Sequence, residues 1–200
     1  MTLMTDVQEI DKPLSRREAA AKDKLARILK AATSLFAEKG FHGTTVPDVA
    51  NTASVGAGTI YRYFDNKDDL VNGVFVSSKT RFRQYLAAGM ERDSANEISL
   101  EAKFGHVWDN LCRFAQDNPE QFCFLEMQEH SKYLNHESKR LERQVLAPLR
   151  LFAQQGKRAG VIRELPAMGL IAMVWGAFVG LFKANALGYA KLNQPVLGHL

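Results

Sequence analysis

Cysteine is scarce in this chain of 200 residues: there are two, Cys112 and Cys123, eleven positions apart in apolar stretches. No CxxC pair and no Cys/His cluster at zinc spacing occurs, which excludes a disulfide framework and a zinc module. The pattern reads as two buried thiols of a reducing cytosol, and a cytoplasmic location is expected. The N-terminus, MTLMTDVQEIDKP, has no basic segment followed by an apolar one, so no export signal is visible. Period-2 runs and Asn-Gly or Asp-Gly hairpins are missing as well, which argues against a sheet. Repeats and low-complexity runs are absent. Net charge is small, +4, although the pI is about 9.1. As a total it is too small to announce a nucleic-acid binder.

What is present is the composition of a globular protein, 46% hydrophobic and 24% charged. One stretch, 165–182, is uncharged over 18 residues, the threshold length for a membrane span. Glu164 and Lys183 close it, Pro166 opens it, and Gly169, Gly176 and Gly180 interrupt it. A helix buried on two faces has the same composition, and no other segment supports a membrane.

Helical periodicity runs through the whole chain, so the expected fold class is all-α. Ser15 and Glu18 have capping-box spacing ahead of a helix at 19–39, whose stripe is Leu25, Ile28/Leu29, Ala32 and Leu35/Phe36. Gly40 stops it as a left-handed cap. Thr45 caps a short helix at 46–53 with Pro47 in its first turn. A second short helix spans 57–63, and Asn66 caps a long one at 67–90. Ser94 and Glu97 form another capping box before a helix marked by Leu100, Phe104, Val107/Trp108, Leu111 and Phe114. Asn118-Pro119 starts a sixth helix, expected to reach 131. A seventh is expected at 137–159, kinked at Pro148, and an eighth at 167–190. The division expected is an N-terminal arm at 1–18, a helix-turn-helix domain at 19–68, and a helical domain at 69–200.

The stretch 44–64, TTVPDVANTASVGAGTIYRYF, carries the chemistry. Two short helices about three residues apart form a helix-turn-helix. Val49, Ala53, Val55, Ile60 and Phe64 fit an inward face. Gly56, Ala57, Gly58, Thr59, Tyr61, Arg62 and Tyr63 remain outward: small, aromatic and basic groups. Small residues let the backbone approach a major groove, Arg62 reaches guanine or phosphate, and tyrosine hydroxyls bond phosphate oxygens. Thr44 and Thr45, at a helix start, and Lys67 complete the expected double-stranded DNA contacts. Charge concentrates here: residues 12–63 hold nine Lys/Arg against four Asp/Glu, with acidic residues on both flanks.

Residues 24–75 resemble the DNA-binding domain of TetR-type transcriptional repressors. The resemblance rests on Ala31-Ala32, the run from Leu35 to Phe41, Thr44-Thr45-Val46, Val49-Ala50, Ala53, Val55, the run from Gly58 to Phe64, and Asn66 to Leu70. It departs at Ser54, where the family usually has glycine, and at Gly56 and Ala57, where it often has a serine cap and a lysine. A serine at a left-handed turn position carries modest strain. The resemblance implies a homodimer on a partly palindromic operator, released by a small effector. No cofactor is expected.

In the C-terminal part, Ala172, Gly176, Gly180 and Ala184 recur every four residues and mark an expected helix–helix dimer face. Phe104, Trp108, Phe122, Met127, His130, Phe152, Trp175 and Phe178 are the expected lining of an apolar, aromatic pocket for that effector. Glu126 and His130 share an i,i+4 relation, but no third ligand accompanies them, so no metal is expected. A regulator without a small-molecule effector is the alternative. A helical enzyme is disfavoured by the lack of a Ser/His/Asp order, a Gly-rich phosphate loop or paired carboxylates with a role.

Overall fold

The computed structural model describes residues 15–91, 98–127 and 130–189, with Glu91, Met127 and Ala186 in backbone alone. Among these residues there are only helices: α1 (Arg16–Lys39), α2 (Val46–Thr52), α3 (Ala57–Ile60), α4 (Lys67–Glu91), α5 (Leu100–Asp117), α6 (Pro119–Met127), α7 (His136–Arg158) and α8 (Ala167–Ala186), with one 3₁₀ turn at Ser131–Tyr133.

Local chemistry sets the boundaries. Glu18 N–H donates to Ser15 Oγ at 3.3 Å, and Ser15 N–H donates to Glu18 Oε2 at 2.9 Å. This satisfies orphan N–H groups and starts α1 earlier than the periodicity suggests. At the other end Gly40 has φ 67°, and its N–H donates to Phe36 O at 3.1 Å. The positive φ is open to glycine without a Cβ clash. Asn66 Oδ1 accepts the N–H of Asp69 at 2.9 Å and starts α4. For α5 the cap is Ser99, which accepts from Ala102 N–H at 3.2 Å. The expected Ser94/Glu97 box falls outside the described residues. The eighth helix is shorter than expected: it ends at Ala186, where the chain turns through Leu187 and Gly188, whose φ is 76°.

The sixth helix is shorter than expected. It ends at Met127, and Ser131–Tyr133 turn as 3₁₀. Glu126 and His130 therefore do not share a helix face. Glu126 accepts the indole N–H of Trp175 at 2.7 Å, while the His130 ring stacks on Phe124 at 4.8 Å and tilts against Phe75 at 5.3 Å.

One apolar cluster runs from α1 to α8 without a seam. Ile28, Ala32 and Phe36 of α1 share it with Leu70, Val71 and Val74 of α4, against which α1 packs, and Phe36 reaches Phe124 of α6 at 6.2 Å between ring centres. Helices α4 and α5 pack along their length. Inside the cluster, Asn72 of α4 is fully satisfied. Its amide donates to the Asp68 and Tyr133 carbonyls at 2.7 and 2.8 Å, and its oxygen accepts from Asn135 N–H at 2.9 Å and Ser138 Oγ at 2.7 Å. It ties α4 to the 3₁₀ turn and to the start of α7. Both cysteines are half-buried and free. Burial, with Asp109 nearby, pushes the Cys112 thiol up to about 11, which keeps it protonated and unreactive.

Candidate nucleic-acid interface

Helix α2 is seated by its cap. Thr45 accepts the N–H of Asp48, and Asp48 accepts both the Thr45 N–H at 3.0 Å and the Thr45 hydroxyl at 2.6 Å. These hydrogen bonds from Thr45 hold the Asp48 carboxyl below its usual value. The turn follows at Ser54, where φ is 53°. Val55 N–H closes it onto Ala50 O at 3.0 Å. Arg27 of α1 donates to Ala53 O at 3.3 Å and pins the end of α2. Sequence reasoning missed that role, because the two partners lie 26 positions apart.

Helix α3 buries Ile60 and presents the rest. Tyr61 is 54% exposed and Arg62 is exposed beside it. Arg62 makes no ion pair or side-chain hydrogen bond among the described residues. Gly56, Ala57 and Gly58 are exposed; a Cβ added at either glycine would meet nothing within 4 Å. Thr59 is half-buried.

Four of the expected DNA contacts are committed elsewhere. Thr44 is fully buried, and its hydroxyl lies 3.1 Å from Leu35 O and 2.9 Å from Gly40 O. It stitches the end of α1 and does not face outward. Thr45 has both donors taken by Asp48. Tyr63 is half-buried, and its hydroxyl donates to Ala21 O at 3.2 Å. Lys67 donates from Nζ to Phe41 O at 2.8 Å and Thr44 O at 3.0 Å, and lies 4.1 Å from the Phe41 ring centre. It is a clamp on the α1–α2 turn. The surface left to a partner contracts to Tyr61, Arg62, Thr59 and the bare backbone of 56–58.

The expected ligand aromatics are placed differently from a cavity wall. Phe178 meets Trp108 edge-on at 5.3 Å, Phe122 at 5.8 Å and Trp175 at 5.2 Å. Phe104 lies 6.0 Å from Trp108, and Phe152 is half-buried on α7. Rings at these distances fill the space among α4, α5, α6 and α8 as a packed core. The Met127 side chain lies outside the described part. Two open clefts lie elsewhere, against α1. The larger, about 680 Å³, runs over Leu25, Ala26 and Leu29 to Asn118 and Glu120; the other, about 350 Å³, reaches Arg27 and Ser54. On α8, Ala172, Gly176 and Gly180 are exposed and Ala184 is half-buried, with Met173 beside them 66% exposed.

Residues 28–74 match the family of bacterial regulatory proteins of the tetR type, and residues 75–197 match the tetracyclin repressor-like C-terminal domain. The chain belongs to the TetR family. It is a DNA-binding transcriptional regulator with the helical fold that the sequence implied. An uncharacterized HTH-type regulator of Haemophilus influenzae is 28% identical over 146 residues, 73% of this chain and 74% of that one. A TetR-family regulator of Marinobacter aquaeolei shares the fold with TM-score 0.75 at 23% identity, over 88% of this chain and 90% of that one. The Bacillus subtilis regulator FadR, solved with stearoyl-CoA, has TM-score 0.62 at 24% identity, covering 82% of this chain and 87% of that one. In this TetR-family chain the N-terminal match runs from α1 through α2 and α3 into the start of α4, and the C-terminal match covers the remaining helices.

Proposed function

We propose that this regulator is a cytoplasmic repressor. It acts as a homodimer on a partly palindromic operator and is released by a small, largely apolar or aromatic effector. The observation that carries the reading is the outer face of α3. Exposed Tyr61 and uncommitted Arg62 stand beside bare backbone at 56–58, anchored from behind by Ile60. Arg62 supplies a charged fork for guanine or phosphate, and the lack of bulk at 56–58 lets the backbone approach the groove.

The exposed small-residue row on α8 supports a second copy packed across it. A pair of heads then sits about one helical turn of DNA apart, roughly 34–36 Å. Doubling the head supplies the affinity that one small basic surface lacks. The packed rings of the body mean that an effector enters by displacing a side chain. To shift the equilibrium, that effector must bind the DNA-incompetent state more tightly. Gel shifts with fragments of the source genome in rising salt test the reading. A fragment retained by the wild type and lost with Arg62→Ala and Tyr61→Ala is expected. Failure to retain any fragment at any salt overturns it.

A further inference from the structure

The front of α3 offers a partner almost nothing polar. Its first turn carries no acidic or basic residue. Gly56 and Gly58 have no side chain, and Ala57, exposed between them, presents a single methyl group. Thr59 is half-buried, and its side chain makes no hydrogen bond among the described residues. Its methyl and its hydroxyl are both uncommitted.

The helical path fixes where these groups stand. Successive residues lie about 100° apart around a helix. Gly58 therefore faces nearly opposite Ile60, which is 1% exposed, and Ala57 and Thr59 flank it on either side. The N–H groups of Tyr61 and Arg62 donate to Ala57 O and Thr59 O, both at 3.3 Å, and carry the turn onward. Arg62 thus follows Gly58 along the same outer line. The result is a bare ridge with a methyl-bearing residue on each shoulder and a guanidinium one turn later.

The polar side chains around α3 do not fill the gap. The Thr44 hydroxyl is held by Leu35 O and Gly40 O, that of Thr45 by Asp48, and that of Tyr63 by Ala21 O, while Lys67 Nζ is held by Phe41 O and Thr44 O. None of these can serve a base edge without giving up its bond. A major groove exposes hydrogen-bonding atoms on every base pair and one apolar group, the 5-methyl of thymine. A base-edge donor or acceptor pressed against a methyl loses water and gains no partner. A thymine methyl in the same place buries apolar surface at no such cost.

We propose that Ala57 and Thr59 set the base preference of the reading head, their methyl groups seating on the 5-methyl groups of thymines. Each half-site then carries thymine at two positions beside the contact of Arg62. The inference rests on the reading of α3 as the helix that enters the groove, and adds to it which bases that helix selects.

The probe is the shortest duplex from the retained genomic fragment that the full chain binds, labelled and titrated by fluorescence anisotropy at one salt concentration. Thymines are replaced by deoxyuridine, one position at a time and in both half-sites together, which removes the methyl and keeps the pairing. At two positions per half-site the replacement is expected to weaken binding by about fourfold per half-site, hence about fifteenfold for the pair. Cytosine at either position costs more, and 5-methylcytosine there recovers about fourfold per half-site. Ala57→Gly abolishes the deoxyuridine effect at one position and Thr59→Ser at the other, while Thr59→Val keeps it. The wild-type protein supplies the first arm, so a variant that fails to fold by circular dichroism leaves the methyl test intact. A site in which no position responds by more than about twofold overturns the proposal and assigns any thymine preference to duplex shape. A response that survives both Ala57→Gly and Thr59→Ser also overturns it. Either result leaves operator binding, and with it the regulator reading, standing; a chain that retains no duplex at all fails both.

Discussion

Lys67 distinguishes a clamp from a DNA contact, and Lys67→Met decides between them. The substitution keeps an apolar stem over Phe41 and deletes the charge. It removes two hydrogen bonds, to Phe41 O and Thr44 O at 2.8 and 3.0 Å, and the contact with the Phe41 ring at 4.1 Å. Hydrogen bonds to a charged group contribute about 1.5–3 kcal/mol each when buried. Lys67 is half-exposed to water, which refills part of the loss, so about 2–3 kcal/mol in all is the expected cost. For a chain of this size each kcal/mol moves Tm by about 2–4 °C, giving a fall of about 5–10 °C. The operator titration gives the contrast. Each phosphate contact contributes about 0.9 to the slope of log K against log salt, hence about 1.8 for the two copies of the proposed dimer. Lys67→Met should lower Tm and leave that slope unchanged. Arg62→Ala should leave Tm nearly unchanged and flatten the slope by about 1.8. A Lys67→Met protein with wild-type Tm and a slope flattened by that amount refutes the clamp.

Gly73→Ala places a Cβ 2.5 Å from Phe64 Cε1, at the point where the reading head meets α4. Overpacking of this kind costs about 1–3 kcal/mol, so a lowered Tm and weakened operator binding are expected, and an unchanged melting curve contradicts the close approach. Ser54→Gly relieves the positive φ of 53° and should raise the urea midpoint by a net stabilisation of about 0.5–1 kcal/mol, with operator affinity kept. Asn72→Leu strands the groups it serves on Tyr133, Asn135 and Ser138 and should cost about 3–4 kcal/mol in urea unfolding. The carboxyl of Glu126 is raised above the usual 4.5, chiefly by burial. The unfolded chain therefore loses that proton first, and stability declines as pH climbs from 4.5 through the raised value. Glu126→Gln removes the decline, so its Tm should gain on the wild type as pH rises across that window; a difference flat in pH refutes the assignment.

Local backbone rules were legible in the chain. Ser15 with Glu18, Gly40 and Thr45 each sit where the residue type alone dictates a cap, and each does so in the structure; the positive φ at Ser54 stands where the family resemblance, against the residue type, implied a left-handed turn. The inward face of the helix-turn-helix was legible too, because Val49, Ala53 and Ile60 follow the period of the helices they lie on. What was not legible depended on partners far along the chain. Thr44 and Lys67 look like outward polar groups until Leu35 O and Phe41 O are brought beside them by the fold. The aromatic stripes of α5, α6 and α8 predict that rings gather, but spacing along one helix cannot say whether facing helices stand close enough to close the gap. They do, and the aromatic lining expected from those stripes together with the family resemblance is a set of rings in contact. The early end of α6 has no strong stop signal in the sequence before His130.

The stack of Phe41 on Tyr133, with ring centres 3.8 Å apart, and the 2.9 Å contact between the Tyr133 hydroxyl and His42 Nε2 join the reading head to the turn before α7. Together with Phe36 against Phe124, they mean that the head borrows part of its core from the body. A fragment cut near residue 68 would carry those rings bare into water and lose the cooperativity that holds α1 in place. Head and body should therefore melt in one transition, with amides of α1 and α4 exchanging at the same rate. The same shared core limits how such a regulator can change: a substitution deep in the body that loosens Phe124 or Tyr133 alters the folding free energy of the surface that reads DNA, without touching a residue of that surface.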